Sequence, residues 1–320
     1  MRGGSGLEEA GAANAMNGAN AANAISGANT VNAANAMNGA NTAKAVSAMS
    51  GANAGNAVNA ASIASAANDR FAADSASARE IALLTDIHGN AAALAAVLAE
   101  LDRRGIRRIF CLGDTVGIGP DSNEVLALLT ARSGIAFVGG NHEAAVLAAY
   151  EGRPAPAGHE GEREHHRWLA QRLDPAYAAV MAGWPRSLAA GIGGRRLLLR
   201  HYHLDDRQEF LPIDASPSVE ALDRLYGDAP FDFVGFGHHH IVHRFRSKRR
   251  LYFNPGALGC CDRPVARCGL VRFQSGGIHA EVLEVPYDNS AFLRSYAELG
   301  VPGADPILKI FHGGQNEKRM

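Results

Sequence analysis

Residues 81–114 read IALLTDIHGNAAALAAVLAELDRRGIRRIFCLGD. The run IALLTD is apolar and ends on an acid, Asp86, as a buried strand does at its polar edge. NAAALAAVLAELDRRG carries apolar residues at helical spacing and stops on Gly105. IRRIFCLGD is a second strand, again ending on an acid, Asp114. Two short strands thus flank one amphipathic helix, and each strand delivers a carboxylate at its end.

Downstream the alternation continues. SNEVLALLTARSG reads as a helix with Ser122 at its N-cap. IAFVGGN reads as a third strand and HEAAVLAAYEG as a third helix. Residues 160–190 have helical texture, broken by GWP at 183–185. Strands then dominate: RRLLLRHYH, FDFVGFGHHH, RLYFNPG, CGLVRFQSGG and IHAEVLEVPY. NSAFLRSYAEL is a closing helix. Alternation followed by a run of strands predicts an α/β fold of two packed sheets with helices outside.

Upstream the texture is different. Residues 10–68 hold one charged side chain, Lys44, and are almost wholly Ala, Asn, Gly and Ser. NAMNGAN at 14, NAISGAN at 23, NAMNGAN at 35 and SAMSGAN at 47 repeat with a single Met or Ile each. So little apolar area cannot offset the entropy of ordering, and stacked repeats need a longer apolar stripe. Residues 1–78 are therefore expected to be a disordered low-complexity tract, with a natural start to the domain near Arg79 and an upstream start codon open to reassignment. The domain is placed at 79–300 and a C-terminal tail at 301–320.

Composition excludes several classes. With 31 Lys plus Arg against 32 Asp plus Glu, the net charge of −1 gives no global pull towards nucleic acid or membrane. No run of about 18 apolar residues occurs, so no membrane span is expected. The four cysteines have no C-x-x-C spacing, which fits a reducing cytoplasm better than a disulfide framework. HRFRSKRR, 243–250, reads as a solvated hairpin turn; without aromatic platforms it disfavours nucleic acid as a partner. His165 and His166, on a helix remote from the other motifs, read as packing residues.

The polar residues fall at strand ends, where open α/β sheets bind ligands. They are Asp86 and His88 in TDIHGN, Asp114 in LGD, Asn141 and His142 in GGNHE, His201 and His203 in RHYH, and His238 to His240 in GHHH. Carboxylate, imidazole and amide oxygen together suit borderline divalent metals. Burying these groups together without a cation would be costly. Four of the five strand ends carry Gly, which permits close backbone approach.

The series D-x-H, G-D, G-N-H, H, G-H-x-H resembles the calcineurin-like metallophosphoesterase superfamily. LLTDIHGNAAALAAVL, LGDTVGIGPDSNEVL and FNPGALG resemble its bacterial phosphodiesterase-like branch over about residues 80–285. The resemblance implies a four-layer α/β/β/α sandwich of two facing mixed sheets. It implies two divalent metal ions (Mn, Fe, Zn, Co or Ni): Asp86, His88 and His240 on the first, Asn141, His201 and His238 on the second, and Asp114 bridging. His142 then stabilises the transition state and protonates the leaving oxygen. The implied function is metal-dependent hydrolysis of phosphodiester or phosphomonoester bonds in a small phosphorylated substrate, by a hydroxide bridging the metals. Alternatives within the superfamily are a Ser/Thr-phosphatase-like or dinucleoside-polyphosphate hydrolase and a non-catalytic scaffold. Glu143 stands where most of this branch has Asp, and is read as a helix first-turn residue. His238 and His240, at i and i+2 of an extended or gently turning segment, face the site while His239 faces away. His201, directly after LLLR, is preferred over His203, although Tyr202 stands where the family usually has Gly.

Overall fold

The computed structural model describes residues 79–214 and 216–315; the low-complexity tract at 1–78 lies outside them. Among the described residues, β1 (Glu80–Leu84), β2 (Ile109–Cys111) and β3 (Ile135–Phe137) lie in one sheet. The second sheet holds β4 (Ser187–Ile192), β5 (Arg195–Arg200), β6 (Phe233–Gly235), β7 (Val242–Arg246) and β8 (Leu251–Pro255). β9 (Val265–Gln274) and β10 (Gly277–Pro286) return to the first sheet. The strand orders are β10-β9-β1-β2-β3 and β4-β5-β6-β8-β7.

Each sheet has a parallel centre with antiparallel additions. β1, β2 and β3 run parallel, as do β5, β6 and β8. The long hairpin β9–β10 pairs antiparallel to β1, and β4 and β7 are antiparallel edges.

The period-2 pattern of the strands builds the layers. Ile81 and Leu83 of β1 face the second sheet, packing in one cluster with Leu197, Leu199, Phe233, Leu251 and Phe253. Ala82 and Leu84 face the other way, onto helix α1 (Ala91–Arg103) and helix α2 (Ser122–Thr130), through Leu94, Val97, Leu101, Val125 and Leu129. Helix α3 (Asn141–Tyr150) packs with α4 (Arg163–Ala170) and α5 (Pro175–Ala182) around Val146, Leu169 and Met181. On the outer face of the second sheet, Leu198, Val234 and Tyr252 cover Leu222 and Tyr226 of α6 (Val219–Tyr226). This is the expected four-layer sandwich.

Several local expectations change. The helix expected to be capped by Ser122 begins at that residue, with Asp121 in the cap position. Strand β4 begins at Ser187, inside the stretch 160–190 expected to be helical, and the amphipathic helix α6, capped by Ser218, adds to the expected elements. HRFRSKRR is not all turn: its first four residues belong to β7, where Arg244 and Arg246 donate to the carbonyls of Ala280 and Ile278 on the opposing sheet. The expected tail contains an ordered helix. After α7 (Ser290–Glu298), α8 (Ala304–His312) buries Ile307 and Leu308 against Phe292, Leu293 and Tyr296. Its amphipathic pattern is too short to stand apart from a tail in the sequence, and packing onto α7 makes it stable.

Candidate metal centre

The parallel strands of both sheets end at one edge, and the predicted residues follow those ends. Asp86 and His88 come after β1, Asp114 after β2, Asn141 and His142 after β3, His201 after β5, and His238 and His240 after β6. The backbone turns sharply there. Asp86, His88, Asp114, His238 and His240 have φ of 54°, 48°, 52°, 68° and 57°. Non-glycine residues in this left-handed region cost roughly 1–3 kcal/mol each and cluster where function requires them. The expectation that His238 and His240 align through an extended pleat is therefore corrected. Each is aimed by its own left-handed turn.

Two glycines make the closeness possible. A Cβ on Gly140 would lie 2.2 Å from Asp114 Oδ1, and one on Gly237 would lie 1.8 Å from Thr85 Oγ1 and 2.8 Å from Asp86 Oδ2. With no side chain at 237, the amide of His238 donates to both Asp86 carboxylate oxygens, at 3.1 and 3.0 Å. The NPG turn braces the same loop: Asn254 Nδ2 donates to the Gly237 carbonyl, and the Gly256 amide donates to Asn254 Oδ1. Asn90 caps α1 through its Oδ1 and donates through Nδ2 to the Gly259 carbonyl, joining the first and last motifs.

The side chains form two groups that share Asp114. In the first, His88 Nε2 and His240 Nε2 lie 2.8 Å apart, and Asp86 Oδ1 is 3.9 and 3.6 Å from them. In the second, His201 Nε2 is 2.8 Å from Asn141 Oδ1 and 3.1 Å from His238 Nδ1. Asp114 Oδ2 lies between, 3.8 Å from His88 Nε2 and 3.1 Å from His201 Nε2. It is buried and accepts no well-formed hydrogen bond.

The tautomers are set from behind. His88 Nδ1 donates to the Val116 carbonyl and His201 Nδ1 to the Leu112 carbonyl, at 3.2 and 2.8 Å. Each leaves an Nε2 lone pair facing the centre, which is how a metal-ligating imidazole is oriented. Lone pairs meeting lone pairs beside a bare carboxylate oxygen fit a cation. The charges agree. Burial pushes the Asp86 carboxyl up to about 7. Burial opposes charge on His201, yet the adjoining Asp114 carboxylate raises it to about 9. Positive charge beside Asp114 is therefore favoured, and divalent ions on the Nε2 lone pairs would supply it. The donor set fits divalent metal binding.

His142 opens α3. Its amide donates to Asp114 Oδ1 at 3.0 Å, so the helix N-terminus faces that carboxylate. Its ring lies 5.0 Å from that of His88. Glu143 is wholly inside and accepts from the amides of Gly140, Asp114 and Thr115 and from Thr115 Oγ1, at 2.6–2.9 Å. The first-turn placement expected for it is correct, and its larger role is to tie α3 to the Asp114 loop.

A family model for the calcineurin-like phosphoesterase superfamily domain matches residues 80–275. The chain belongs to the calcineurin-like phosphoesterase superfamily. An uncharacterised protein of Methanocaldococcus jannaschii, MJ0912, is 25% identical over 230 residues, covering 65% of this chain and 88% of that protein. The fold is similar to that of a metallophosphoesterase from Sphaerobacter thermophilus, with TM-score 0.57, 20% identity, and coverage of 72% and 98% of the two chains. It is also similar to hypothetical protein PH1004 from Pyrococcus horikoshii, with TM-score 0.59, 18% identity, and coverage of 73% and 98%.

In this phosphoesterase fold the remaining histidines divide by position. His203 turns into the core, its Nδ1 2.8 Å from Tyr226 Oη, and burial lowers its pKa to about 3. His239 faces away from the centre, its Nδ1 2.9 Å from His243 Nε2. His166, read from sequence as a packing residue, instead reaches the centre, with Nε2 3.1 Å from His142 Nδ1. His159, Glu162, Phe210 and Phe311 had no motif to mark them, while Cys260 follows the NPG loop, which places it near the site. Cys260, His88 and His240 offer donor atoms within 4.8 Å of one another. That adds a thiol beside a set expected to hold no cysteine. Phe210 stacks on the ring of His238 and Phe311 lies against that of His240, so the centre has aromatic walls. Arg153, Arg186, Arg263, Arg267 and Lys309 line the open cleft around it.

Proposed function

We propose that the chain is a metal-dependent phosphoesterase that hydrolyses a small phosphodiester or phosphomonoester. One observation carries this reading: two converging donor groups share Asp114, whose buried Oδ2 has no hydrogen-bond partner of its own. Asp86, His88 and His240 would hold one divalent ion and Asn141, His201 and His238 the other, with Asp114 common to both. Bound there, such ions make water more acidic and offset charge on phosphoryl oxygens.

The protein's own groups do the rest. The carbonyls of Val116 and Leu112 hold His88 and His201 in the ligating tautomer. Arg186 and Lys309 on the cleft lining, which holds acidic side chains as well, offer contacts to an anionic substrate. His142, set against Asp114 by its amide, donates a hydrogen bond to the phosphoryl group and a proton to the leaving oxygen. The eight residues of this reading are present together, which favours catalysis over a scaffold role.

The test is hydrolysis of an aryl phosphodiester and an aryl phosphomonoester by purified protein of measured metal content, with Mn²⁺, Zn²⁺, Co²⁺ and Ni²⁺ supplied in turn. Turnover that depends on added metal is expected. No turnover of either ester with any ion, by folded and metal-loaded protein, overturns the reading. His142→Ala should lower kcat by about 10²–10⁴ while the Asp114 centre keeps its ions, the range for a lost general acid. Full activity in that variant would remove His142 from the chemistry.

A further inference from the structure

Around and behind His142 lies a second group of metal-type side chains, of which the proposed phosphoesterase centre uses only His142. His142, His159, Glu162 and His166 offer donor atoms that all fall within 4.8 Å of one another. The three imidazoles form a nearly equilateral triangle. The ring centroids of His142, His159 and His166 are 5.2, 5.2 and 5.3 Å apart, with interplanar angles of 71°, 67° and 65°. His142 Nδ1 lies 3.1 Å from His166 Nε2. Glu162 Oε2 lies 2.7 Å from His159 Nδ1 and 3.6 Å from His166 Nε2. In a tetrahedral zinc site with bonds near 2.1 Å, donor atoms are about 3.4 Å apart.

We propose that His142, His159, Glu162 and His166 bind a further divalent transition-metal ion of the zinc class, beside and distinct from the Asp114 centre. The sequence that supplies it is compact: His159-x-x-Glu162-x-x-x-His166. Glu162 immediately precedes α4 and His166 lies one turn later, so the two share a helix face. Three imidazoles and one carboxylate are a closed zinc donor set, with no thiolate needed.

Hydrogen bonding alone accounts for only part of the cluster. His159 can donate from Nδ1 to Glu162 and accept from Asn141 Nδ2 at Nε2, 3.1 Å away. His142 Nδ1 and His166 Nε2 can share one N–H···N hydrogen bond, and the other nitrogen of the His166 ring, Nδ1, is buried without a partner. His166 is 1% exposed and His142 8%, so the facing nitrogens are screened from water. An ion would take both of these facing lone pairs, which a single shared proton cannot do. His142, His159 and Glu162 also line the cleft, which gives an ion a way in.

The site bears on His142. With Nδ1 on a cation, the ring proton must sit on Nε2, because the ligated nitrogen fixes the tautomer. A cation also makes that N–H a stronger hydrogen-bond donor to the phosphoryl group, and when its proton passes to the leaving oxygen the imidazolate left behind stays on the cation until water reprotonates it.

Zinc content decides the matter without reference to activity. The full chain, equilibrated with Zn²⁺ and freed of excess, is compared with the Glu162→Gln/His166→Leu double variant by elemental analysis. The double variant should hold one equivalent less. An equal content, in protein with unchanged circular dichroism, overturns the proposal. Asp114→Asn reports separately on the phosphoesterase centre, so loss there does not depend on Glu162 or His166. Wild-type crystals supply a measurement independent of variant folding. An anomalous peak at the zinc edge should lie within about 2.3 Å of His166 Nε2 and His142 Nδ1. Its absence from zinc-loaded crystals also overturns the proposal.

Discussion

At the scale of single residues, three consecutive histidines have three different fates. His238 and His240 are aimed at opposite sides of Asp114 by left-handed turns, while His239 lies between them and pairs with His243. His238→Ala and His240→Ala should each lower kcat/KM more than roughly 100-fold, since even the outer partners of metal ligands cost 10–100-fold. His239→Ala should stay within a few-fold of wild type, because the contact it loses is one hydrogen bond worth about 1 kcal/mol. Steady-state rates with parallel metal analysis check both. Equal losses from all three would mean that the stretch acts as a chelating patch rather than as two aimed ligands. The alternation itself was legible from G-H-x-H. The backbone conformation that produces it was not, since φ at a residue is imposed by what packs around it.

At the scale of elements, α3 is held to the β2 loop by Glu143 as well as by the His142 amide on Asp114 Oδ1. Glu143 satisfies the amides of Gly140, Asp114 and Thr115 together with the Thr115 hydroxyl. Glu143→Ala strands those buried donors and should destabilise the fold by about 2–5 kcal/mol, as loss of one partner in a buried charged network does. Urea unfolding would measure it, and a change below about 0.5 kcal/mol would rank Glu143 with ordinary surface positions. Much at this scale could be read directly. The strands β1, β2, β3, β5, β6, β8, β9 and β10 and helices α1 and α2 have apolar runs or spacing with clear stops, while α3 is marked by its place after β3 rather than by a one-sided apolar face. Strands β4 and β7, at sheet edges, owe their form to pairing more than to pattern, whereas α6 carries a clear amphipathic face between Ser218 and Gly227, a signal that was there to be read. His159 and Glu162 escaped notice, and His166 read as a packing residue, for a related reason. Their importance comes from α4 lying against α3, and nothing in their spacing from His142 announces that contact.

At the scale of the whole molecule, buried neutral histidines couple stability to pH. His312 on α8 is buried, 3.1 Å from Tyr296 Oη, and burial lowers its pKa to about 3 from an ordinary 6.5. Between those values the unfolded chain binds the proton and the folded chain does not, so stability rises with pH. The contribution is complete above about 6.5 and is lost as pH falls towards 3; at pH 5 it costs about 2 kcal/mol. His203 and His165, lowered by burial to about 3 and 4, act in the same direction. Thermal melts should therefore fall from pH 7 to pH 5. His312→Gln, which keeps a partner for Tyr296 without titrating, should flatten that slope in part. An unchanged slope would show that His312 does not titrate on unfolding. The same helix brings Phe311 to the cleft wall against His240, so the segment expected as a tail belongs to both the core and the site.

By itself the sequence determined the two-sheet architecture, and its motif series carried the resemblance to the superfamily to which the chain belongs. The architecture rests on local chemistry, apolar runs with period 2 or 3.6, and the candidate donors are the acids and imidazoles at their ends. Tertiary structure decided the rest. It set which donors face each other across Asp114, drew Cys260, Phe210 and Phe311 to the centre, and gathered three imidazoles and a carboxylate behind His142. Such groupings depend on how distant segments pack, and the physical force that joins them acts through space rather than along the chain.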